Sequence, residues 1–589
     1  MKQKRWFSEA RFGAFIHWGL YALPGGVWKG ETMEYIGEWL QARFRIPNAE
    51  YAALAEQFNP TAFDAEEIVR RFRDAGIRYV VFTAKHHDGF AMYHSRVSRF
   101  NIVDATPFRR DPLAELAAAC RKFGLRLGIY YSHCLDWHEK DGGDPGPDAP
   151  KNKGMSWGND WDFPDRKAKD FDTYFREKAI PQLTELLSRY GEISLLWLDC
   201  PITIRPKHAL EIRTLVDKLQ PECLINSRIG CGMQDFDSLG DNLFPVDGGE
   251  TPVESAATLN DTWGYKSGNQ NWKPFAEIRD TLIDLASRNT NLLLNFGPDG
   301  CGRIPAPALE VLDRLAVWMK SASGAIHGAA GNPLPQELSW CRCTFSGGNR
   351  LNLFLIRERP RYLLRGISGE VTACSVPFEQ EGEVLELHPP EAVVLERIPV
   401  TVEFRPLFAR ELFPIDGELT LLPNRATIDT GTVSGEPAKG TGAEELGAAA
   451  EKLPLSGHCR RENSGAISSW HNPADAISWD VSFPDGGRYR LSLVTRTRSH
   501  GGSWHGDREV IVEFNGRTVR TMLRNDSMTA DGCYPEAESI LGELETAPGE
   551  TGRVVLRTGR ILSGDALQME LVRLKLTAVE EAVTPADEL

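Results

Sequence analysis

The order of apolar and polar positions divides the chain into an alternating part and a β-rich part. In the first 320 or so residues, short apolar runs alternate with longer amphipathic segments. Ile68, Val69, Phe72 and Ala75 recur at helical spacing and Gly76 follows them, which predicts a helix. The same reasoning predicts helices over residues 65–76, 111–123, 171–190, 208–219 and 275–288. It predicts strands over residues 10–17, 77–84, 125–131, 193–199, 223–226 and 291–296.

Serial strand–helix units over this length favour an α/β fold, a (β/α)8-like (TIM-type) catalytic barrel, over a doubly wound open sheet. The position of the polar residues favours the barrel as well, because barrel enzymes build their sites at the carboxyl ends of the strands. The polar residues at or just after predicted strand ends are His17, His86, His87, Asp199, Arg228 and Asn295.

The pattern changes after Gly324, where short alternating segments separated by Pro and Gly turns predict β-sandwiches. We therefore predict a catalytic barrel over residues 1–325, a C-terminal β-sandwich over 326–400, and an additional sandwich over 401–589 that is like a carbohydrate-binding module. A Gly/Ala/Glu-rich stretch over 431–450 is expected to be a loop or disordered.

Composition and charge limit the classes of molecule that the protein can be expected to bind. A formal charge of -15 argues against nucleic acid and anionic membranes, which need clustered Lys and Arg. No apolar run approaches the roughly 20 residues of a membrane helix. The 11 scattered Cys are expected to be reduced thiols, and the 15 Trp suit carbohydrate binding through their aromatic faces. We expect a cytoplasmic protein, or a periplasmic or secreted one if a leader has been removed, and the sequence leaves a homo-oligomer open.

Asp199 follows a mostly apolar run, with Trp197 two residues before it. Alternate residues of a strand share a face, so both side chains should point the same way from the barrel mouth. A carboxylate beside an indole suits a glycosidase nucleophile with a sugar-stacking ring. The alternative is an Asp that caps the next helix or the turn before Pro201.

His86 and His87 invite three interpretations: a metal site, a pair that hydrogen-bonds sugar hydroxyls, or structural residues. Neighbouring strand residues point to opposite faces and no further ligand pair stands at a suitable spacing, so we predict hydrogen bonding and no metal. His17 is either a similar binding residue or a buried core histidine. Arg228 is either a group that holds a hydroxyl or a carboxylate, or a surface arginine.

Several segments, taken together and in order, resemble the α-L-fucosidases of glycoside hydrolase family 29. These segments are Arg11-Phe-Gly-Ala-Phe-Ile-His-Trp-Gly-Leu-Tyr21, Lys85-His-His-Asp-Gly-Phe90, Tyr130-Tyr-Ser132, Leu135-Asp-Trp137, Leu196-Trp-Leu-Asp199, Asn260-Asp-Thr-Trp-Gly-Tyr265 and Asn291-Leu-Leu-Leu-Asn-Phe-Gly-Pro-Asp299. The resemblance covers about residues 5–330 and weakens beyond about residue 400.

The resemblance implies a retaining exo-α-L-fucosidase that acts on fucosylated oligosaccharides or glycosides by double displacement, without a cofactor. Asp199 matches the nucleophile of the family. Trp263 would pack against the C5-methyl face of fucose. The positions that match the lining of the fucose pocket are His17, Glu38, Trp39, His86, His87, Tyr130, Trp197 and Arg228. The alternatives are a catalytically inactive fucose-binding relative and a same-fold glycosidase on a related sugar such as α-L-galactose.

The family supplies its general acid/base from a variable loop, which here spans residues 241–255. The candidates are Asp247, Glu250 and Glu254. Glu250 lies on a turn between Gly248-Gly249 and Thr251-Pro252 that could bring it to a leaving-group oxygen, and we predict it as the acid/base. Glu254 has a family-like spacing to Trp263, and we predict it as a supporting residue of the binding site.

Overall fold

The computed structural model describes residues 4–146, 151–248, 251–334, 336–365, 367–404, 407–408, 412–430, 458–499, 501–530 and 533–579. Contacts divide the chain into two compact units. The first comprises Met1–Ser238, Thr251–Ala286 and Thr290–Gly328, and the second comprises Leu239–Glu250, Ser287–Asn289 and Ala329–Leu589. The predicted division into three domains stays a prediction.

The first unit contains a curled sheet of eight parallel strands, as the alternating pattern predicts. The strands are β1 (Phe12–Ile16), β2 (Tyr79–Lys85), β3 (Arg126–Tyr131), β4 (Leu195–Leu198), β5 (Leu224–Ile225), β6 (Asp237–Ser238), β7 (Val253–Thr258) and β8 (Thr290–Phe296). Their order is β5-β4-β3-β2-β1-β8-β7-β6. A parallel bridge between Asn226 and Phe236 joins the two end strands, so the (β/α)8-like architecture is confirmed.

Helices connect these strands. Asp64 and Asp111 cap two of them by accepting hydrogen bonds from backbone N–H groups of the first turn, and Gly124 ends the second in a left-handed conformation. The α-helices of the first unit are Arg5–Ala10, Leu40–Phe44, Asn48–Ala52, Ala65–Asp74, Pro112–Phe123, Phe171–Tyr174, Ile180–Arg189, Pro206–Leu219, Phe275–Ser287 and Ala306–Ile326. The helix predicted over 171–190 is interrupted by a π-helical turn at Phe175–Ala179.

Strands β6 and β7 are absent from the sequence prediction, which treats residues 241–255 as one loop. That prediction is wrong for residues 253–255, which begin β7. All six residues of β7 are buried although three of them are polar, Glu254, Ser255 and Thr258. A strand that buries polar groups on internal hydrogen bonds lacks the apolar pattern on which sequence prediction depends.

The second unit is built from antiparallel sheets, and its two larger hydrophobic clusters belong to the earlier and the later strands. Its earlier strands are Cys341–Ser346, Arg350–Leu355, Tyr362–Arg365, Ile367–Ser368, Val371–Cys374, Phe378–Glu381, Val384–Leu387, Val400–Phe404 and Leu407–Phe408, with one helix at Glu391–Leu395. Its later strands are Glu418–Leu421, Thr427–Asp429, Arg460–Arg461, Ile467–Ser468, Ala476–Phe483, Gly487–Thr497, Arg508–Phe514, Arg517–Met522, Ser527–Ala530, Glu536–Thr546, Glu550–Ile561 and Met569–Ala578. The stretch 431–450 lies outside the described residues.

All eleven cysteines are thiols without a disulfide partner. Among the described residues, no helix is both long enough and apolar enough to cross a membrane.

Candidate functional site

Asp199 stands directly after β4, and its carboxylate accepts hydrogen bonds on both oxygens. Arg228 Nη1 donates to Oδ1 at 2.8 Å, and the backbone N–H of Cys200 donates to the same oxygen at 2.9 Å. Tyr130, on β3, donates its hydroxyl to Oδ2 at 2.8 Å. The Arg228 guanidinium also lies 4.7 Å above the Trp197 ring, so one cation reaches both the carboxylate and the indole two residues before it.

These contacts keep Asp199 ionised although it is only 8% exposed. Burial alone would raise its pKa, but the charge of Arg228 and the hydrogen bonds from Arg228 and Tyr130 outweigh burial and bring the pKa below its ordinary value. The pKa of Tyr130 is raised well above its ordinary value by burial and by Asp199, so this hydroxyl remains a proton donor. The site therefore presents a carboxylate that is charged at neutral pH.

His17, at the end of β1, is held by a chain of hydrogen bonds that fixes its tautomer. The side-chain N–H of Asn295 donates to the Trp263 carbonyl at 2.8 Å, so the amide oxygen of Asn295 faces His17 Nδ1 at 2.7 Å as an acceptor. Nδ1 therefore carries a proton and donates it to this oxygen. The Trp263 ring lies 5.3 Å from the His17 ring, which places an indole beside this imidazole.

His86 and His87 are buried neutral imidazoles that follow β2. Burial and neighbouring histidines lower the pKa of His86 well below its ordinary value, and burial together with Lys85 does the same for His87. The His86 ring stacks parallel to Tyr130, and its Nδ1 has no hydrogen-bond partner among the described residues. A buried polar atom without a partner is costly, as is expected where a ligand supplies the missing hydrogen bond.

Glu38 and Trp39 lie on the short 3-10 turn Gly37–Trp39. Glu38 accepts a hydrogen bond from the backbone N–H of Gly264 at 2.8 Å, next to Trp263. The Trp39 ring meets the His87 ring edge to face at 5.5 Å. Both residues are buried.

Glu254 lies near the start of β7, within the barrel. It accepts hydrogen bonds from the Tyr79 hydroxyl at 2.5 Å and from Trp197 Nε1 at 2.8 Å. Burial raises its pKa to about 7, against the lowering effect of these two hydrogen bonds and of Arg228. Its contact orients Trp197, so Glu254 is connected to the site through that ring.

The other acid/base candidates belong to the segment between β6 and β7. Glu250 lies outside the described residues. Asp247 is part of the second unit, where burial raises its pKa to about 6 and Glu337 acts in the same direction. The segment is anchored within that unit, because Val246 donates its N–H to the Ser464 carbonyl and Arg496 donates to the Phe244 carbonyl.

The structure adds residues that the sequence reasoning did not select. Ser132 contacts His87 Nδ1 at 2.7 Å, and Cys200 Sγ lies 3.7 Å from His87 Nε2. Tyr79 holds Glu254. Ser132 lies within one of the segments that resemble the family, whereas Tyr79 stands inside an apolar run. No local signal marks such a residue as the partner of a carboxylate 175 positions away.

Behind the histidines lies a buried charge cluster. Lys85 and Lys178 both pair with Asp136, at 3.1 and 2.9 Å, and all three side chains are at most 7% exposed. The two ammonium groups bring the pKa of Asp136 to about 2 despite burial, which alone would raise it. This cluster is a structural ion pair network that fixes the segment after β2.

The assembled site can therefore bind a polyhydroxylated ring and attack it. Neutral imidazoles accept or donate hydrogen bonds to hydroxyls, aromatic rings cover apolar sugar faces, and an ionised carboxylate stands among them. Among the described residues, one group combines three metal-ligating side chains, namely His87, Asp199 and Cys200.

Comparisons with known proteins agree with this chemistry. A family model described as "Alpha-L-fucosidase" matches residues 1–324. The tissue α-L-fucosidase of Mus musculus is 29% identical over 345 residues, which cover 55% of this chain and 71% of that protein. The tissue α-L-fucosidase of Homo sapiens is 28% identical over 361 residues, which cover 58% of this chain and 72% of that protein.

Two solved structures extend the likeness. The α-L-fucosidase from Vibrio sp. strain EJY3 is 26% identical with a TM-score of 0.78, over 98% of this chain and 97% of that chain. The α-L-fucosidase AlfC from Lactobacillus casei, in complex with α-L-fucose product, is 46% identical with a TM-score of 0.51, over 54% of this chain and 99% of that chain. The first match spans both units, and the second spans about the length of the barrel part.

Proposed function

The chain belongs to the α-L-fucosidase family and is a glycoside hydrolase, and on that premise we propose that it removes terminal α-L-fucose with retention of configuration, through a covalent fucosyl-Asp199 intermediate. The observation that carries this proposal is the ionisation of the Asp199 carboxylate. Asp199 is a buried carboxylate that Arg228 and Tyr130 keep ionised at the carboxyl end of a barrel strand. An ionised carboxylate is what the first displacement requires.

The sugar-binding part of the proposal uses the residues around Asp199. His17, His86 and His87 bind ring hydroxyls. Trp263 packs against the C5-methyl group of fucose, which separates fucose from sugars without that methyl by about 1–3 kcal/mol. The remaining lining residues are Glu38, Trp39, Tyr130, Trp197 and Arg228, and Glu254 supports the ring of Trp197.

The general acid/base comes from the segment between β6 and β7. Sequence reasoning predicts Glu250, which stands three residues before the start of β7, whereas Asp241 stands three residues after the end of β6. Asp199 and Arg228 likewise follow the carboxyl ends of their strands, and barrel sites form at that edge. Strand direction therefore favours Asp241 over Glu250 for this role.

The second displacement follows from the first. The protonated acid donates to the leaving-group oxygen, then as a base removes a proton from the water that attacks the fucosyl ester. The two carboxyl groups must come to about 5–5.5 Å from each other. The mechanism requires neither a metal nor a redox cofactor. A fucosylated oligosaccharide or glycoside is the proposed substrate, and Fucα(1,6)GlcNAc, bound in a structure of the Lactobacillus casei relative, is the first to assay.

The role of Asp199 is tested with 4-nitrophenyl α-L-fucopyranoside, the substrate in another structure of that relative. Asp199→Ala should lower kcat by about 10³-fold or more, because the covalent intermediate cannot form. Azide should restore turnover and yield the inverted β-fucosyl azide. Asp74→Ala, an exposed aspartate on a helix of the barrel, is the control. Full activity of the Asp199 variant would refute the proposal, as would β-fucose as the first product in a proton NMR time course of the wild type.

The acid/base is tested by comparing Asp241→Ala with Glu250→Ala. Loss of the acid/base should slow hydrolysis of a poor leaving group such as a methyl α-L-fucoside by about 10²–10⁴-fold. A nitrophenyl leaving group needs little protonation, so azide should rescue that substrate and give the retained α-fucosyl azide. Rescue confined to Asp241→Ala assigns the role to Asp241, and rescue confined to Glu250→Ala returns it to Glu250.

A further inference from the structure

Three side-chain atoms of the kind that bind metals lie close together at the proposed nucleophile. They are His87 Nε2, a carboxylate oxygen of Asp199 and Cys200 Sγ, which all lie within 4.8 Å of one another. His87 Nε2 lies 3.7 Å from Cys200 Sγ and 3.8 Å from Asp199 Oδ2. The His87 nitrogen is thus almost equally far from the sulfur and from the carboxylate oxygen.

The hydrogen bonds of Ser132 decide which nitrogen of His87 carries the proton. The Ser132 hydroxyl donates to the Leu135 carbonyl at 2.9 Å, so its oxygen accepts from His87 Nδ1 at 2.7 Å. Nδ1 is therefore protonated, and the lone pair of Nε2 is directed at the side of the ring where Asp199 and Cys200 lie. A ligating histidine in a metal site is oriented by the same kind of contact on its other nitrogen.

Cys200 reaches this position through an uncommon backbone conformation. Its φ is 48°, in the left-handed region that side chains other than Gly seldom adopt. The residue directly follows the proposed nucleophile, and its thiol is half-buried rather than packed into the core. The turn after β4 thus presents a thiol at the site for which the proposed hydrolysis has no use.

The two distances from His87 Nε2 are close to those between neighbouring ligand atoms in a zinc coordination shell. Tetrahedral zinc with a Zn–S bond of about 2.3 Å and Zn–N and Zn–O bonds of about 2.0–2.2 Å separates its ligand atoms by about 3.3–3.6 Å. The observed separations of 3.7 and 3.8 Å exceed this by a few tenths of an ångström, within the range of a small side-chain rotation. Three protein ligands leave the fourth position to water.

We propose that His87, Asp199 and Cys200 form an inhibitory binding site for zinc and similar thiophilic divalent cations. Formation of the metal–sulfur bond releases the thiol proton to solvent, and coordination of Asp199 Oδ2 removes the carboxylate from attack. The donor set of one sulfur, one nitrogen and one oxygen selects zinc over Mg²⁺, which prefers oxygen ligands. The inhibitory effect rests on the proposed role of Asp199, whereas binding of the metal does not.

Two groups oppose the cation and set the strength of binding. The Arg228 guanidinium lies 2.8 Å from Asp199 Oδ1, and Tyr130 donates to Oδ2, the oxygen that faces His87. The metal must therefore compete with a positive charge and with a hydrogen bond. We expect binding that a chelator reverses and that fucose prevents, unlike the closed shell of a structural zinc site.

The first experiment measures hydrolysis of 4-nitrophenyl α-L-fucopyranoside by chelator-treated protein with added zinc chloride or magnesium chloride. Zinc should raise KM more than it lowers kcat, and EDTA should restore the rate, whereas magnesium should have no effect. Cys200→Ala should raise the half-inhibitory zinc concentration by about tenfold or more, since loss of a ligand exceeds the effect of losing an outer-shell contact. Unchanged zinc sensitivity in this variant would overturn the proposal.

Cys231→Ala is the matched control, because Cys231 also has a positive φ, of 56°, and its thiol is at least as accessible to solvent. It should remain as sensitive to zinc as the wild type. Equal loss of sensitivity in both cysteine variants would contradict the assigned site.

The second experiment detects the metal without activity. Cobalt(II), which takes zinc sites, should give thiolate-to-cobalt charge-transfer absorption in the wild type, and both α-L-fucose and Cys200→Ala should abolish it. This readout is independent of catalysis, so a protein that binds cobalt but hydrolyses no fucoside would refute the proposed function and retain the metal site. No thiolate–cobalt band in the wild type would refute the metal site itself.

Discussion

Asp199 is a buried carboxylate whose charge is stabilised by protein donors in place of water. Arg228 supplies both a charge and a hydrogen bond, Tyr130 supplies a second hydrogen bond, and together they overcome the effect of burial on its pKa. Of the neighbours that lower the pKa of Asp199, Arg228 has the largest effect. The acid side of the pH profile therefore tests the assignment at the scale of single residues.

Arg228→Gln should raise the pKa of Asp199. Because an opposite charge within hydrogen-bond distance lowers a carboxyl pKa by about 1–3 units, the acid limb of kcat/KM should move to higher pH by about one unit or more. The rate at the optimum should also fall by about 10- to 100-fold, since a charge-assisted hydrogen bond contributes about 1.5–3 kcal/mol. The measurement is the pH dependence of kcat/KM for 4-nitrophenyl α-L-fucopyranoside.

Arg5→Gln is the control for this profile, because the Arg5 side chain is 87% exposed and pairs with Glu9 at the surface. An acid limb that stays in place when Arg228 is replaced would show that Asp199 does not govern it.

At the scale of elements, β7 shows how a strand can be buried and still be polar. Glu254 is fully buried, and its two hydrogen bonds come from Tyr79 on β2 and Trp197 on β4. The carboxyl group thereby joins three strands inside the barrel. Because burial raises its pKa to about 7, the neutral form is the one that the folded protein favours at acidic pH.

Glu254→Gln should change how stability depends on pH. The folded pKa of Glu254 is raised from 4.5 to about 7, so its favourable contribution is complete below pH 4.5 and is lost as pH rises to about 7. Glutamine stays neutral at every pH. Between pH 4.5 and 7 the free energy of unfolding of the variant should therefore rise relative to that of the wild type by up to about 3 kcal/mol, at about 1.4 kcal/mol per pKa unit. Urea unfolding of both proteins at pH 5 and pH 8 measures this difference, and parallel changes in the two proteins would contradict it.

At the scale of the whole molecule, the two units have separate hydrophobic cores, and the chain passes between the units more than once. The segment Leu239–Glu250 leaves the strand order of the barrel and belongs to the second unit. The proposed acid/base candidates Asp241 and Glu250 are therefore at the two ends of a segment whose middle is anchored by Val246 and Phe244.

Trp479→Ala tests the stability of the second unit. Trp479 is 1% exposed in the core of the later strands and donates its Nε1–H to the Leu422 carbonyl. Its truncation should destabilise that unit by about 3–5 kcal/mol, the usual cost of emptying a buried aromatic site. Differential scanning calorimetry should show an unfolding transition at lower temperature. An unchanged thermogram would contradict the claim that Trp479 stabilises this core. Leu562→Ala, an exposed residue of the same unit, is the control.

The sequence by itself determined the serial order of strands and helices and the residues at strand ends. These features are local: helical spacing from Ile68 to Ala75 and the apolar run before Asp199 depend only on near neighbours in the chain. The ordered segments also indicated the fucosidase family, which the family comparison confirms. The strands that sequence reasoning missed, β6 and β7, are those that are too short or too polar to leave a local pattern.

Tertiary structure alone decided the chemical state of the site, because the deciding contacts join residues far apart in the chain. His17 and Asn295 are 278 positions apart, and Tyr79 and Glu254 are 175 apart. The tautomer of His87, the ionisation of Asp199 and the approach of Cys200 to His87 all depend on such pairs. One amino-acid sequence does not indicate which distant side chain will donate a hydrogen bond to which acceptor, because that pairing follows from how the strands curl and pair.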